Sequence, residues 1–317
     1  MRVAVVGAGA IGGFIAAALA RSGVDVCVVA RGAHLDALAQ NGIEIVSSDL
    51  GPFTARVATA PSVAGIGTVD FALMTFKAHQ WPMLLPQMAA LAKSQTPIVT
   101  LQNGVPFWLA RTPPLNTVDP GGRIGAAFHD TRVLGGVVHV SGHLIGPGRI
   151  HQSGGTRYRI GEIDGSQSAR LQALVDVFAN ADLNAEIDPN IRETVWLKLV
   201  NNAGLNPVSA LSGQTIRPML EAHDTRDEVR ILMGEAVAVG KKLGIVDRVD
   251  IDERLAYAAR LADVKTSMLQ DLEAHRPLEL DPILGALVEL GDRLHVPVTH
   301  IRTAYETLCA RSGDDGR

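Results

Sequence analysis

Lys198, Asn202 and Asn206 stand at i, i+4 and i+8 of a helix-patterned stretch, residues 196–207, so all three side chains leave one face. Their neighbours Leu197, Leu199, Val200 and Ala203 are apolar. A lysine and two asparagines aligned in an apolar helix are costly to bury unless they face a polar cleft. Asparagine is also a poor interior helix residue, so two in register need a reason. A merely solvated face would show Glu, Lys and Arg, and the pattern therefore reads as a functional face.

A second group sits at the start of the chain. Arg2–Val6 is an apolar strand, Gly7, Gly9 and Gly12 follow with the spacing G-x-G-x-x-G, and an Ala-rich helical segment, residues 14–21, comes next. This order is what a dinucleotide-binding βαβ unit requires. Gly7 permits the tight turn, Gly9 lets backbone approach a pyrophosphate, and Gly12 lets the helix sit close to the sheet. A secretory leader or membrane span is the competing reading of this apolar run, but four glycines and the lack of a cleavage site count against it. The second strand, residues 24–30, ends in Arg31 rather than in the acidic residue that binds ribose hydroxyls in NAD enzymes. A guanidinium there suits the 2′-phosphate of NADP.

Other candidates lie just past apolar runs. Lys77 follows the strand-like residues 69–75, where its charge could bind phosphate or ribose. Asn103 follows residues 97–101, and its amide could bind a cofactor ribose or a substrate. Asn103-Gly104 is equally an ordinary turn pair, and its sequence alone leaves both readings open. Glu279 and Asp281 precede a helix expected from residue 282; capping accounts for Asp281, whereas spacing does not settle Glu279.

The elements that must position these groups follow from the pattern of 317 residues. The first half alternates strand-like and helix-like segments, the signature of a parallel sheet. Expected helices are 33–40, 81–93 and 166–180, with a short strand near 54–59 and three more at 132–140, 144–152 and 156–161. From Pro189 helical periodicity dominates: 192–206, 225–243, 251–274, 282–294 and 300–310, with Pro207, Pro218, Pro277, Pro282 and Pro297 marking boundaries. The expected organisation is a Rossmann-type dinucleotide-binding domain over 1–187 and a mostly α-helical substrate domain over 188–317. Residues 311–317 read as a frayed tail.

Composition narrows the function classes. Hydrophobic residues make up 47%, charged residues 20%, and the formal net charge is −4, which offers no basic field for nucleic acid or an anionic membrane. Two distant cysteines, Cys27 and Cys309, form neither a disulfide framework nor a metal site, so a cytoplasmic setting is expected. The histidines show no metal-binding spacing, and no metal is expected. A homodimer is left open.

Together, the glycine motif, Lys77 in Lys-Ala-His-Gln, Gln102-Asn103-Gly104, the Lys198/Asn202/Asn206-Pro207 helix, and Ser267-Met-Leu-Gln-Asp271 followed by Glu279-Leu-Asp281 resemble the 2-dehydropantoate 2-reductase (ketopantoate reductase) family. The resemblance runs to about residue 310. It implies NADPH-dependent reduction of a 2-oxo acid, ketopantoate to pantoate in pantothenate biosynthesis or a related acid. It implies Lys198 as general acid, with Asn202, Asn206 and Ser267 on the substrate. Lys77, Asn103 and Glu279 would contact the cofactor or its junction with substrate, and Ser141 would offer a further backbone contact to NADP. Three departures stand out: Leu284 replaces an asparagine, and the asparagines expected near 301 and 216 are Ile301 and Ile216. They predict a more apolar substrate pocket. A 3-hydroxyacid or opine-type dehydrogenase and a non-catalytic NADP-binding regulator are the competing functions; the Lys77, Asn103 and Glu279 set disfavours the first and Lys198 the second.

Overall fold

The computed structural model describes residues 1–260 and 263–313. They form two compact units, Met1–Gln102 with Gly122–Ile191, and Asn103–Gly121 with Arg192–Arg317. The first unit runs β1 (Arg2–Val6), α1 (Ala10–Arg21), β2 (Asp25–Val29), α2 (Gly32–Asn41), β3 (Ile43–Ser47), β4 (Phe53–Ala55), β5 (Ala58–Ala60), β6 (Phe71–Met74), α3 (Trp81–Leu84), α4 (Ala89–Lys93), β7 (Ile98–Thr100), α5 (Arg123–Ala127), β8 (Val133–Gly146), β9 (Arg149–Glu162), α6 (Ala169–Ala179) and β10 (Asn184–Ile187).

Six strands are parallel in the order β5-β2-β1-β6-β7-β8. Strands β1, β6 and β7 are buried almost throughout, as apolar runs covered on both faces should be. The chain leaves β1 toward β2 and later returns to β6 on the other side. That reversal is the topological switch point, where an open α/β sheet binds ligands beyond its strand ends. The glycine loop lies there, directly after Val6.

Several boundaries differ from the sequence reading, each for a local reason. The three short strands expected over 132–161 are two long ones, β8 and β9, joined at Pro147-Gly148. Gly142 and Gly154 lie inside this hairpin, at register shifts, rather than in turns. The helix expected over 81–93 is split into α3, a 3₁₀ turn at Leu85–Met88 containing Pro86, and α4. The strand near 54–59 is two: β4 antiparallel to β3, and β5 parallel to β2.

The second unit contains α7 (Ile191–Ser212), α8 (Ile216–Glu221), α9 (His223–Lys242), α10 (Ile251–Arg260), α11 (Ser267–Glu273), α12 (Ala286–Leu294) and α13 (Thr299–Ser312). Helix α9 is central, touching α8, α10, α12 and α13. Residues 251–274 form two helices instead of one, with 261–262 outside the described residues, as is the tail from 314 to 317. Pro207 lies inside α7 rather than at its end; its missing N–H costs one backbone bond, and packing carries the helix on to Ser212.

Asn103–Gly121 joins the helical unit although it lies between sheet elements in sequence. Glu289 on α12 accepts from the backbone N–H of Asn116 (2.9 Å) and Thr117 (3.0 Å) and from the Thr117 hydroxyl (2.8 Å). Arg293, one turn on, donates to the Pro113 and Pro114 carbonyls. No helix among the described residues is long and apolar enough to cross a membrane.

Candidate active site

Each glycine of the first motif meets a different steric demand. Gly7 has φ of +110°, and a Cβ there would come within 2.6 Å of the Phe76 nitrogen. A Cβ on Gly12 would stand 2.1 Å from the Gly7 carbonyl oxygen and 2.3 Å from Thr75 Oγ1. Gly9 is the opposite case: nothing lies within 4 Å of its Cβ position. It precedes α1, whose N-terminus has no side-chain cap, so no side chain competes for the first amide donors that anion binding would use. Thr75 Oγ1 donates to the Gly7 carbonyl at 2.7 Å and fixes the loop.

Around this loop stand Arg31, exposed at the N-cap position of α2, and Lys77, half-buried just past β6. Gln102 holds the segment that carries Lys77. Its Nε2 donates to the Phe76 carbonyl at 2.8 Å and its Oε1 accepts from the Trp81 indole at 2.9 Å. The Trp81 ring meets Phe76 edge-on at 4.9 Å between centroids. Ser141 is exposed in the irregular part of the β8–β9 hairpin.

In the second unit, α7 orients the polar face by how its opposite face packs. Trp196 and Gly204 stand two residues from Lys198 and Asn206, about 200° around the helix. The Trp196 indole donates to the Ala236 carbonyl on α9 at 3.1 Å, and a Cβ on Gly204 would come within 2.6 Å of Met233. With that face locked, Lys198, Asn202 and Asn206 point the other way. Asn201, beside them in sequence, serves structure: Arg254 donates to its Oδ1 at 3.2 Å.

Burial pushes the Lys198 ammonium down to about 8, a fall that the charge of Glu279 partly opposes. Asn103 Nδ2 donates to Glu279 Oε2 over 3.4 Å. The loop bearing Asn103 is clasped from below, since Val105 N–H donates to the Pro282 carbonyl at 2.7 Å. Gly104, at φ +87°, admits that carbonyl where a Cβ would lie only 2.3 Å away. Pro282 belongs to a single π-helical turn, Asp281–Gly285, a form common at functional sites. Asp281 is not the side-chain cap expected of it; its Oδ1 accepts from the Tyr305 hydroxyl at 2.6 Å.

Asn206 is the most telling member of the set. It is 5% exposed, and its Nδ2 has no hydrogen-bond partner. An unsatisfied buried donor costs roughly 1–3 kcal/mol, and such a group is retained where something else supplies the acceptor.

The structure thus joins Asn103, Glu279 and Lys198 and aligns Asn202 and Asn206 with the lysine. Ser267 is exposed at the first position of a different helix, α11. Tyr305, Gln102 in its bridging role, and the Pro282 clasp were missed by sequence reasoning, because no spacing pairs residues so far apart. Of the three positions expected to make the pocket more apolar, Leu284 and Ile301 have no exposed surface, and Ile216 is 8% exposed. Leu284 and Ile301 are fully enclosed by the helical unit, whereas Ile216 is as open as Asn206.

The family profile described as Ketopantoate reductase PanE/ApbA matches residues 3–165, and its C-terminal counterpart matches 190–312. The chain belongs to the ketopantoate reductase family. It is 38% identical to the 2-dehydropantoate 2-reductase of Mesorhizobium japonicum, over 95% of this chain and 94% of the relative. A crystal structure of a candidate ketopantoate reductase from Ralstonia solanacearum MolK2 superposes with a TM-score of 0.92 at 34% identity, covering 99% of this chain and 98% of that one. The 2-dehydropantoate 2-reductase of Methylococcus capsulatus gives 0.84 at 31% identity, with 98% of each chain covered. The family membership makes this chain an oxidoreductase of the ketopantoate reductase type, with a Rossmann-like N-terminal domain and a helical C-terminal one.

Proposed function

We propose that this protein reduces a 2-oxo acid to the 2-hydroxy acid with NADPH, with ketopantoate as the leading substrate. The observation that carries the reading is the α7 face, where a lysine tuned to about 8 shares one side of the helix with a buried, unpartnered amide donor. NADPH, when bound, supplies hydride to the carbonyl carbon. As that carbon is reduced, its oxygen gains alkoxide character. The Lys198 ammonium stabilises the developing charge and gives up a proton to the oxygen. Asn206 Nδ2 donates to a substrate carboxylate or hydroxyl oxygen, Asn202 assists from the next turn, and Ser267 adds a hydroxyl. Glu279 keeps Lys198 charged and, with Asn103, borders the reacting end.

Residues of the first unit fit a phosphorylated dinucleotide. Gly9 leaves room for a pyrophosphate, the α1 amides can donate to it, Lys77 adds charge, and Ser141 offers backbone. Arg31 replaces the carboxylate that would repel a 2′-phosphate. NADPH is expected to bind at least about tenfold tighter than NADH, a difference of about 1.4 kcal/mol, and Arg31→Ala to shrink that preference. Fluorescence titration with both cofactors checks this; equal affinities in the unmutated protein would contradict the choice of NADP.

The reaction is tested with a panel of 2-oxo acids at fixed NADPH, following cofactor oxidation and identifying the product. Stoichiometric 2-hydroxy acid is expected. Tight NADPH binding without turnover of any acid would point instead to a regulator.

A further inference from the structure

His34 belongs to no motif described so far, yet both of its ring nitrogens are engaged. It lies half-buried in the first turn of α2, three residues past Arg31. Its Nδ1 accepts from the Gly148 N–H at 3.0 Å, and its Nε2 stands 2.7 Å from the Ala8 carbonyl oxygen. A backbone N–H can only donate and a carbonyl can only accept. The ring therefore carries its proton on Nε2 and donates it to Ala8. Gly148 lies in the turn between β8 and β9, and that turn is seated on the same helix: a Cβ on Gly148 would stand 3.2 Å from the Ala37 Cβ.

Ala8 separates Gly7 from Gly9 in the glycine loop. The Ala8–Gly9 bond is trans, and in a planar trans peptide the N–H points opposite to the C=O. Holding the Ala8 oxygen on the α2 side thus turns the Gly9 N–H to the other side. Thr75 Oγ1 treats the preceding peptide in the same way, through the Gly7 carbonyl at 2.7 Å. Two successive peptide planes of the loop are each set by one side-chain donor, from two different elements.

We propose that His34 is a positioning residue of the dinucleotide site, one that orients the Gly9 N–H toward the cofactor's pyrophosphate. This rests on the cofactor reading above. Gly9 is the motif glycine with open space at its Cβ position, which leaves room for a phosphate beside its amide. The Gly148 N–H, the imidazole and the Ala8–Gly9 peptide form a chain in which each hydrogen bond polarises the next. Without the ring the peptide is free to turn, and binding must order it.

The test titrates NADPH, NADH and adenosine 2′-phosphate, which carries the phosphate assigned to Arg31 but no pyrophosphate. His34→Ala should weaken both dinucleotides by the same factor, about threefold to tenfold, raising the KM for cofactor while leaving kcat at saturation and adenosine 2′-phosphate affinity unchanged. His34→Gln, whose Nε2 can still donate to Ala8, should restore most of the loss. His34→Asn, which can still accept from Gly148 but is too short to reach Ala8, should not. Unchanged dinucleotide affinity in His34→Ala, an equal loss with adenosine 2′-phosphate, or rescue by Asn rather than Gln would overturn this assignment while leaving the cofactor reading intact. Failure of the unmutated protein to bind either dinucleotide would overturn both.

Discussion

Replacing Lys198 by alanine is expected to lower kcat by about 10² to 10⁴ while leaving NADPH affinity nearly unchanged, the range for losing a positioned general acid. The side chain stands on a face of α7 opposite the one locked by Trp196 and Gly204, so its removal should not unseat the helix. Removing it relieves a buried charge but also takes the cation away from Glu279, so Tm should stay close to that of the parent. Steady-state kinetics, cofactor titration and thermal melting separate the cases. A parallel fall in cofactor affinity and Tm would make Lys198 a structural residue.

The second large effect is expected at Asn206. Leucine there is similar in size, replaces the carboxamide with an apolar group and removes the orphaned Nδ2 donor. Its loss should raise Tm or leave it unchanged, because the buried donor is unsatisfied in the free protein. The same change should cut kcat/KM by roughly tenfold to a hundredfold, since a hydrogen bond to a charged group is worth about 1.5–3 kcal/mol. Stability and activity moving in opposite directions is the signature of a group held for substrate. A lower Tm in Asn206→Leu would mean that the amide serves the fold.

Much of this arrangement was legible in the sequence because it rests on short periods. Gly7, Gly9 and Gly12 define a strand–turn–helix within thirteen residues, and Lys198, Asn202 and Asn206 need only the helical repeat to share a face. The misread elements are those where tertiary contacts override local signals. Gly142 and Gly154 look like turn residues but sit in a bulged hairpin, and Pro207 looks like a terminus but lies inside α7. What no local pattern could show is pairing at long range. Asn103 meets Glu279 across 176 residues, Gln102 reaches back to Trp81, and Tyr305 finds Asp281. The crossing of residues 103–121 into the helical unit depends on Glu289 and Arg293, which from sequence alone are ordinary helix-surface charges.

The pH dependence of kcat/KM for ketopantoate reduction tests whether Lys198, tuned by Glu279, is the proton donor. The donor must be protonated, so the rate should be level below the lysine pKa and fall tenfold per unit above it, with the break near 8. Glu279 supports the charged form, so Glu279→Gln should move the break to lower pH; Lys198→Ala should abolish it. A break that persists in Lys198→Ala, or that does not move in Glu279→Gln, would contradict the account.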